Sequence, residues 1–105
     1  MTGRDPDLTA GVELRNTLYE LQVYEAIAVA ASDAHGTLGA MLGASDPDTA
    51  CRALQQRYGF TELQALAVMD MQFRRVTARD REKVEQRRQE LAARVLVLEA
   101  ELGGT

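Results

Sequence analysis

The sequence contains few of the residues that cross-link or stiffen small proteins. Its one cysteine, Cys51, excludes an intrachain disulfide and argues against a metal centre, so we expect no cofactor. It has two prolines, no tryptophan and only 5% aromatic residues, so its 46% hydrophobic fraction consists mainly of Leu, Val, Ile, Ala and Met. That composition favours an all-α protein. No apolar run is long enough to span a membrane, and no basic flank followed by an apolar run stands at the N-terminus. We therefore expect a cytoplasmic protein without membrane contact.

The length of 105 residues allows one domain with a single core, but not a core together with a separate catalytic domain. Charge is unevenly distributed, because residues 1–50 carry a net charge of −6 and residues 51–105 a net charge of +2. An acidic first helix beside a more basic last helix would relieve the repulsion within each half. The pattern thus favours an antiparallel helix pair over a nucleic-acid surface.

Two short helices are predicted in the middle of the chain from their end signals. Asp46 followed by Pro47 is typical of a helix N-terminus, and Gly59 suits the left-handed residue after a helix C-terminus. These signals predict a helix over about residues 47–57. Thr61 and Gln64 have the spacing of a capping box, which predicts a second helix over about residues 62–74.

Two long helices are predicted on either side of this pair. After a disordered lead over residues 1–8, the first covers about residues 9–43, with Leu14, Leu18 and Leu21 at 3/4 spacing. Gly36 and Gly39 weaken this helix, and they either allow close helix approach or mark a kink. The last helix covers about residues 78–102. It carries two apolar rows typical of a coiled-coil seam, interrupted at Arg88: Val84, Leu91 and Leu98, then Val95 and Leu102.

The predicted fold is therefore all-α, an antiparallel two-helix coiled-coil stalk with a small helical globular tip and about four helices. The last helix would be roughly 37 Å long. Only the first helix could pair with it over that length. Residues 9–105 would form this single helical domain.

Residues 60–84 resemble a segment of the A subunits of DNA gyrase and topoisomerase IV. The family pattern is (L/F)-(S/T)-E-x-Q-A-x-A-I-L-D-M-x-L-x-R-L-T-x-x-E-x-x-K-I. The matching residues are Phe60, Thr61, Glu62, Gln64, Ala65, Ala67, Val68, Met69, Asp70, Met71, Phe73, Arg75, Val76, Thr77, Asp80, Lys83 and Val84. Arg79 departs from the pattern, since the family usually has an apolar residue there. Weaker similarity over residues 21–31 and 45–50 extends the resemblance to most of the chain.

In that family the corresponding region is a coiled-coil arm capped by a helical knob, the exit gate (C-gate) where two subunits meet. The resemblance implies a stand-alone, non-catalytic dimerisation module, since the family's cleavage tyrosine and metal site lie in a domain that this chain lacks. We expect a two-fold homodimer through the tip, or association with the full-length A subunit of gyrase or topoisomerase IV and modulation of that enzyme. The dimer-interface candidates are apolar residues that a small tip cannot bury alone: Leu38, Met41, Leu42, Leu66, Met69 and Phe73.

Three residues that often serve in active sites are interpreted as structural. Tyr58 follows Arg57, but the resemblance matches Arg57 and Tyr58 to the family's R-F-G-L turn, so Tyr58 is interpreted as a packed turn residue. His35 has no second His or Cys at ligand spacing and is interpreted as a surface or interface histidine. Cys51 is interpreted as a small, half-buried hydrophobe.

Seven bases between residues 74 and 88 could neutralise phosphates. They are interleaved with acids and lack aromatic partners, which is typical of a solvated helix with internal ion pairs. DNA contact is therefore expected to be indirect or weak, with Arg74 and Arg75 as its candidates.

Two other functions stay open. A small all-helical enzyme of the chorismate-mutase type could use Arg15, Arg52, Arg75 and Arg79 on an acidic substrate, and a mutase assay would test it. An accessory DNA-binding helical protein would show salt-dependent association with duplex DNA.

Overall fold

The computed structural model describes residues 6–71 and 77–103, and all regular structure in these two ranges is α-helical. The helices are α1 (Pro6–Ser32), α2 (Ala34–Leu42), α3 (Pro47–Tyr58), α4 (Glu62–Met69) and α5 (Ala78–Gly103). The all-α prediction is confirmed. Five helices are found in the described ranges instead of about four, because the predicted first helix is divided at Asp33. Of the predicted lead, residues 1–5 lie outside the described ranges, and α1 begins at Pro6.

The long helices α1 and α5 pack against each other in opposite directions. Arg94 Nε and Nη2 donate hydrogen bonds of 3.0 and 2.9 Å to the Glu13 carboxylate. Arg87 Nη2 donates one of 3.0 Å to Glu20 Oε1. Both ion pairs join an acid of the first half to a base of the second, as the charge distribution predicts. Because all four side chains are more than 40% exposed, the pairs set register more than they stabilise the fold.

Apolar side chains between these helices provide the stabilisation. Val84, Leu91, Val95 and Leu98 of α5 are buried, as predicted, and Leu102 is half-buried. Burying such a side chain fully is worth about 1.5–3 kcal/mol. We call this α1–α5 contact the seam.

Arg88 interrupts the seam, as predicted. Its side chain turns back along its own helix, and Arg88 Nε donates a hydrogen bond of 2.9 Å to Glu85 Oε1. The adjacent guanidinium lowers the pKa of Glu85 to about 2.

The α1 side of the seam differs from the prediction at one position. Leu18 is exposed, and the neighbouring Thr17 is buried instead. Thr17 tolerates burial because its hydroxyl donates a hydrogen bond of 2.7 Å to the backbone carbonyl of Glu13. Leu14 and Leu21 are half-buried.

The short helices begin at the predicted signals. Asp46 Oδ1 accepts a hydrogen bond of 2.8 Å from the Thr49 amide at the start of α3, and Gly59 ends that helix with φ of 74°. Thr61 and Gln64 form the predicted capping box of α4, with hydrogen bonds of 3.0 and 3.1 Å. α4 ends at Met69, earlier than the predicted boundary near residue 74, and residues 72–76 lie outside the described ranges.

The tip core forms where α1, α3 and α4 meet. Small residues on α1 allow α4 to approach closely, and α3 packs against α4. The buried members of this core are Ala26, Ala30, Cys51, Leu54, Phe60, Ala65 and Val68. The predicted inward direction of Ala50, Cys51 and Leu54 is confirmed. None of the helices in the described ranges is long and apolar enough to cross a membrane.

The seam can be tested with two leucines of α5, since Leu98 is 0% exposed and Leu96 is 68% exposed. Leu98→Ala should lower the free energy of unfolding by about 2–5 kcal/mol, because it leaves a cavity between the helices. Leu96→Ala should change it by less than about 0.5 kcal/mol. Urea denaturation followed by circular dichroism measures both, and equal losses would contradict the observed seam.

Candidate functional site

The chain changes direction at Asp33, between α1 and α2. Asp33 has non-helical backbone angles, φ −132° and ψ 55°. Its amide donates a hydrogen bond of 3.2 Å to the Ala30 carbonyl, and its own carbonyl accepts one of 2.9 Å from the Thr37 amide. Asp33 therefore closes one helix and opens the next, which corrects the prediction of a continuous helix over residues 9–43.

The Asp33 carboxylate ties this junction to the end of α3. Asp33 Oδ2 accepts hydrogen bonds from the Tyr58 hydroxyl at 2.7 Å and from Arg57 Nη2 at 3.2 Å. Arg57 Nε also donates to the Tyr58 hydroxyl at 3.1 Å. The Tyr58 hydroxyl, and after it the Arg57 guanidinium, lowers the pKa of Asp33 below its ordinary value. We call Asp33, Arg57 and Tyr58 the junction triad.

Tyr58 is a packed residue, as predicted. Its ring stacks on Phe60 with centroids 5.0 Å apart. Its hydroxyl also lies 2.9 Å from Thr37 Oγ1. Thr37 is buried on α2, and its hydroxyl lies within 3.3 Å of the Ala30 carbonyl near the end of α1. Tyr58 thus helps to orient α2 relative to α1 and α3.

Gly36 permits the junction triad to form. A Cβ atom at Gly36 would overlap the Asp33 carboxylate and the Arg57 guanidinium. At Gly39, one turn later on α2, a Cβ atom would meet nothing within 4 Å. Of the two roles that the sequence leaves open, Gly36 allows a close approach, and the change of helix direction falls at Asp33.

An apolar groove of about 420 Å³ opens between α2 and the end of α4. We call it the tip groove. Its walls combine side chains of α2 with Val68 and the residues that follow it. The lining residues are Ala34, His35, Thr37, Leu38, Met41, Val68, Met69 and Met71.

The described interface candidates lie on the α2 and α4 side of the tip. Leu38, Met41 and Met69 line the tip groove. Leu42 shares a helix face with Leu38, one turn away, and Leu66 stands one turn before Met69. Leu38 is 37% exposed, Leu42 76% and Leu66 46%. The sixth candidate, Phe73, lies outside the described residues, as do Arg74 and Arg75.

The arginines considered for an enzyme site are spread along the molecule. The register of the seam places Arg79 level with residue 28 of α1, while Arg15 stands 13 residues away, roughly 20 Å along the helix. Arg52 is exposed on α3, and Arg75 lies outside the described residues. A pocket that contains both Arg15 and Arg79 therefore does not form.

His35 and Cys51 occupy different environments. His35 is exposed on α2 at the tip groove. Cys51 is buried in the tip core, where its thiol lies 3.8 Å from Gln55 Oε1. Within residues 6–71 and 77–103, no three His, Cys, Asp or Glu side chains are grouped so that they could hold a metal ion.

No protein-family model matches the sequence. Comparison with known proteins nevertheless finds relatives that match most of its length. More narrowly, it is similar to part of the DNA gyrase A protein. The chain is 33% identical over 95 residues to the gyrase A protein of Campylobacter jejuni, and the match covers 84% of this chain and 11% of that relative. It is 28% identical over 96 residues to the gyrase A protein of Campylobacter fetus, where the match covers 85% of this chain and 11% of the relative. The chain thus spans about a tenth of the length of these relatives.

The two helical glycines of α2 provide a matched test of the junction triad. Gly39→Ala should stabilise the protein by about 0.5–1 kcal/mol, because alanine favours the helix and the added methyl group meets open space. Gly36→Ala should lack this gain, because its methyl group displaces the Asp33 carboxylate from Arg57. Urea denaturation of both variants gives the comparison, and an equal gain would contradict the close approach at Gly36.

Tyr58→Phe should raise the pKa of Asp33 towards its ordinary value of 3.8, because it removes the largest cause of the lowered pKa. An acid with a lowered pKa stabilises the fold above its ordinary pKa, and that stability is lost as the pH falls through the pKa of the folded state. The loss of folding stability at acidic pH should therefore be smaller in the Tyr58→Phe variant than in the unaltered protein. Carboxyl carbon NMR titration measures the pKa. Tyr19→Phe, an exposed site on α1, is the control and should leave the pKa of Asp33 unchanged.

Proposed function

We propose that this chain is a non-catalytic dimerisation module of the exit-gate type, in which the tips of two copies meet. The observation that carries this proposal is the position of the gyrase-like motif. Its first half forms α4 and Met71, beside the tip groove and three exposed leucines. A contiguous apolar surface of this kind is typical of a protein interface.

The proposed stalk is a two-helix coiled coil formed by α1 and α5. Its support is a 3/4 spacing of buried and half-buried positions in both helices. In α1 these are Ala10, Leu14, Thr17, Leu21, Tyr24, Ala28 and Ala31; in α5 they are Val84, Arg88, Leu91, Val95, Leu98 and Leu102. Such a stalk would hold the tip at a fixed distance from whatever lies at its other end.

The proposed contact at the tip is isologous, with the same surface used by both copies. Leu42 is the most exposed of the large apolar residues in the described ranges, and it stands beside the tip groove of its own chain. In a two-fold arrangement, Leu42 of each copy would insert into the tip groove of the other copy. The junction triad would then act as a positioning device, because it fixes α2, which carries Leu38, Met41 and Leu42.

A structural rather than catalytic role is supported by the state of Tyr58. Its hydroxyl is hydrogen-bonded to Asp33 and its ring is stacked on Phe60, so it acts as a packing residue. The matched relatives are gyrase A proteins, and this chain corresponds to a tenth of their length. We propose that it pairs with itself or with such a protein, and that in the second case it modulates the larger enzyme.

Sedimentation equilibrium tests the homodimer with two matched variants, Leu42→Lys at the tip and Leu96→Lys on the stalk. Both residues are more than two-thirds exposed, so neither change should disturb the monomer. The unaltered protein and Leu96→Lys should both be dimers. Leu42→Lys should weaken the dimer at least about 100-fold, because two buried leucines contribute about 3–6 kcal/mol.

An unaltered protein that stays monomeric at high concentration would overturn the proposed dimer. If both lysine variants weaken the dimer equally, the result would contradict a contact located at the tip. Mixing the chain with a gyrase A protein tests the second pairing. A mixed complex with altered supercoiling activity is expected. If no complex forms and the activity does not change, modulation is excluded.

A further inference from the structure

The methionines are concentrated in one place. The chain has four, and Met41, Met69 and Met71 all line the tip groove. Each is half-buried, so part of each side chain is accessible to solvent. The tip core, by contrast, is built from Ala, Leu, Val, Phe and Cys51.

The three methionines come from two separate elements. Met41 stands on α2, Met69 is the last residue of α4, and Met71 follows two residues later. Methionine is unbranched and polarisable, so a groove lined by three of them can adapt its shape to a partner. The same thioethers are the groups in this groove that an oxidant can convert to a polar form.

We propose that the tip groove is an oxidation-sensitive site, in which a peroxide converts Met41, Met69 and Met71 to methionine sulfoxides and thereby weakens tip-to-tip association. In each step the O–O bond of the peroxide breaks. One oxygen forms an S–O bond with the thioether sulfur, which loses two electrons, and hydrogen peroxide leaves its second oxygen as water. The association part of this inference rests on the proposed function.

The physical consequence follows from the apolar lining. A sulfoxide oxygen is a hydrogen-bond acceptor, and covering it with leucine side chains would leave it without a donor. Of the polar side chains in the groove lining, Thr37 is already bonded to Ala30 and Tyr58, so His35 alone remains as a donor for three sulfoxide oxygens. Oxidation should therefore weaken association at least about tenfold. By linkage, association should also protect the thioethers, so the sulfoxides should form more slowly as protein concentration rises.

The test compares peroxide-treated and untreated protein in a Cys51→Ala background, which removes the thiol as a second target. A matched variant adds Met41→Leu, Met69→Leu and Met71→Leu, keeps apolar side chains of similar volume and retains Met1 as an internal reference. Mass spectrometry of tryptic peptides counts the sulfoxides, circular dichroism checks the fold, and sedimentation equilibrium measures association.

The dissociation constant of the methionine-containing protein should rise at least about tenfold on treatment. That of the leucine variant should not change from its own untreated value. If association is unchanged although three sulfoxides have formed, the proposed oxidation-sensitive site is overturned, while the proposed dimer is not contradicted. Equal weakening of the leucine variant would also overturn it. If the untreated protein is monomeric, the proposed dimer is overturned, and the proposed effect of oxidation on association is overturned with it.

Discussion

The packing of α1 against α5 is the interaction on which the rest of the molecule depends. α5 has no other long partner among the described helices, and its buried residues all face α1. At its tip end, α1 also presents Ala26 and Ala30 to α3 and α4. One helix therefore serves two contacts, with a different face for each. Because α1 takes part in both contacts, it relates the orientation of the tip to that of the stalk.

At the end of α1, polar contacts hold the helices together, whereas apolar packing does so along the seam. Asp33, Arg57 and Tyr58 hold three helix ends together, and the Thr37 hydroxyl donates a second hydrogen bond to the Ala30 carbonyl, which also accepts from the Asp33 amide. These contacts are specific in geometry, and Gly36 is the residue that leaves room for them. The apolar surface of α2 is thereby presented at a defined angle. This geometry supports the recognition role proposed for the tip.

Local signals in the sequence predicted most of the helix ends, because the groups that form them are three or four residues apart. Asp46 with Thr49, Thr61 with Gln64, and Gly59 all act as the spacing indicates. The heptad rows of α5 were equally readable. The break at Asp33 was not, because its partners lie 24 and 25 residues further along the chain. The local signals were Gly36 and Gly39, which left a kink open without placing it, and an aspartate after a serine inside an apolar pattern.

The candidate site was predicted in part. The exposed leucines of the tip follow from an apolar content that short helices cannot bury, whereas the tip groove and the place of His35 and Met71 in it depend on how α2 and α4 meet. Thr17 replaced Leu18 in the seam because a hydroxyl bonded to its own helix can be buried, which a hydrophobic pattern does not reveal.

Gln64 performs two tasks at once. Its side-chain oxygen accepts a hydrogen bond from the Thr61 amide, and its side-chain nitrogen donates one of 2.9 Å to the Gln22 carbonyl on α1. The start of α4 and its attachment to α1 therefore share a single amide group. An eight-residue helix is too short to persist alone in water, so α4 should appear only when α1 is already in place to receive it. This one amide group therefore couples the formation of α4 to the presence of α1.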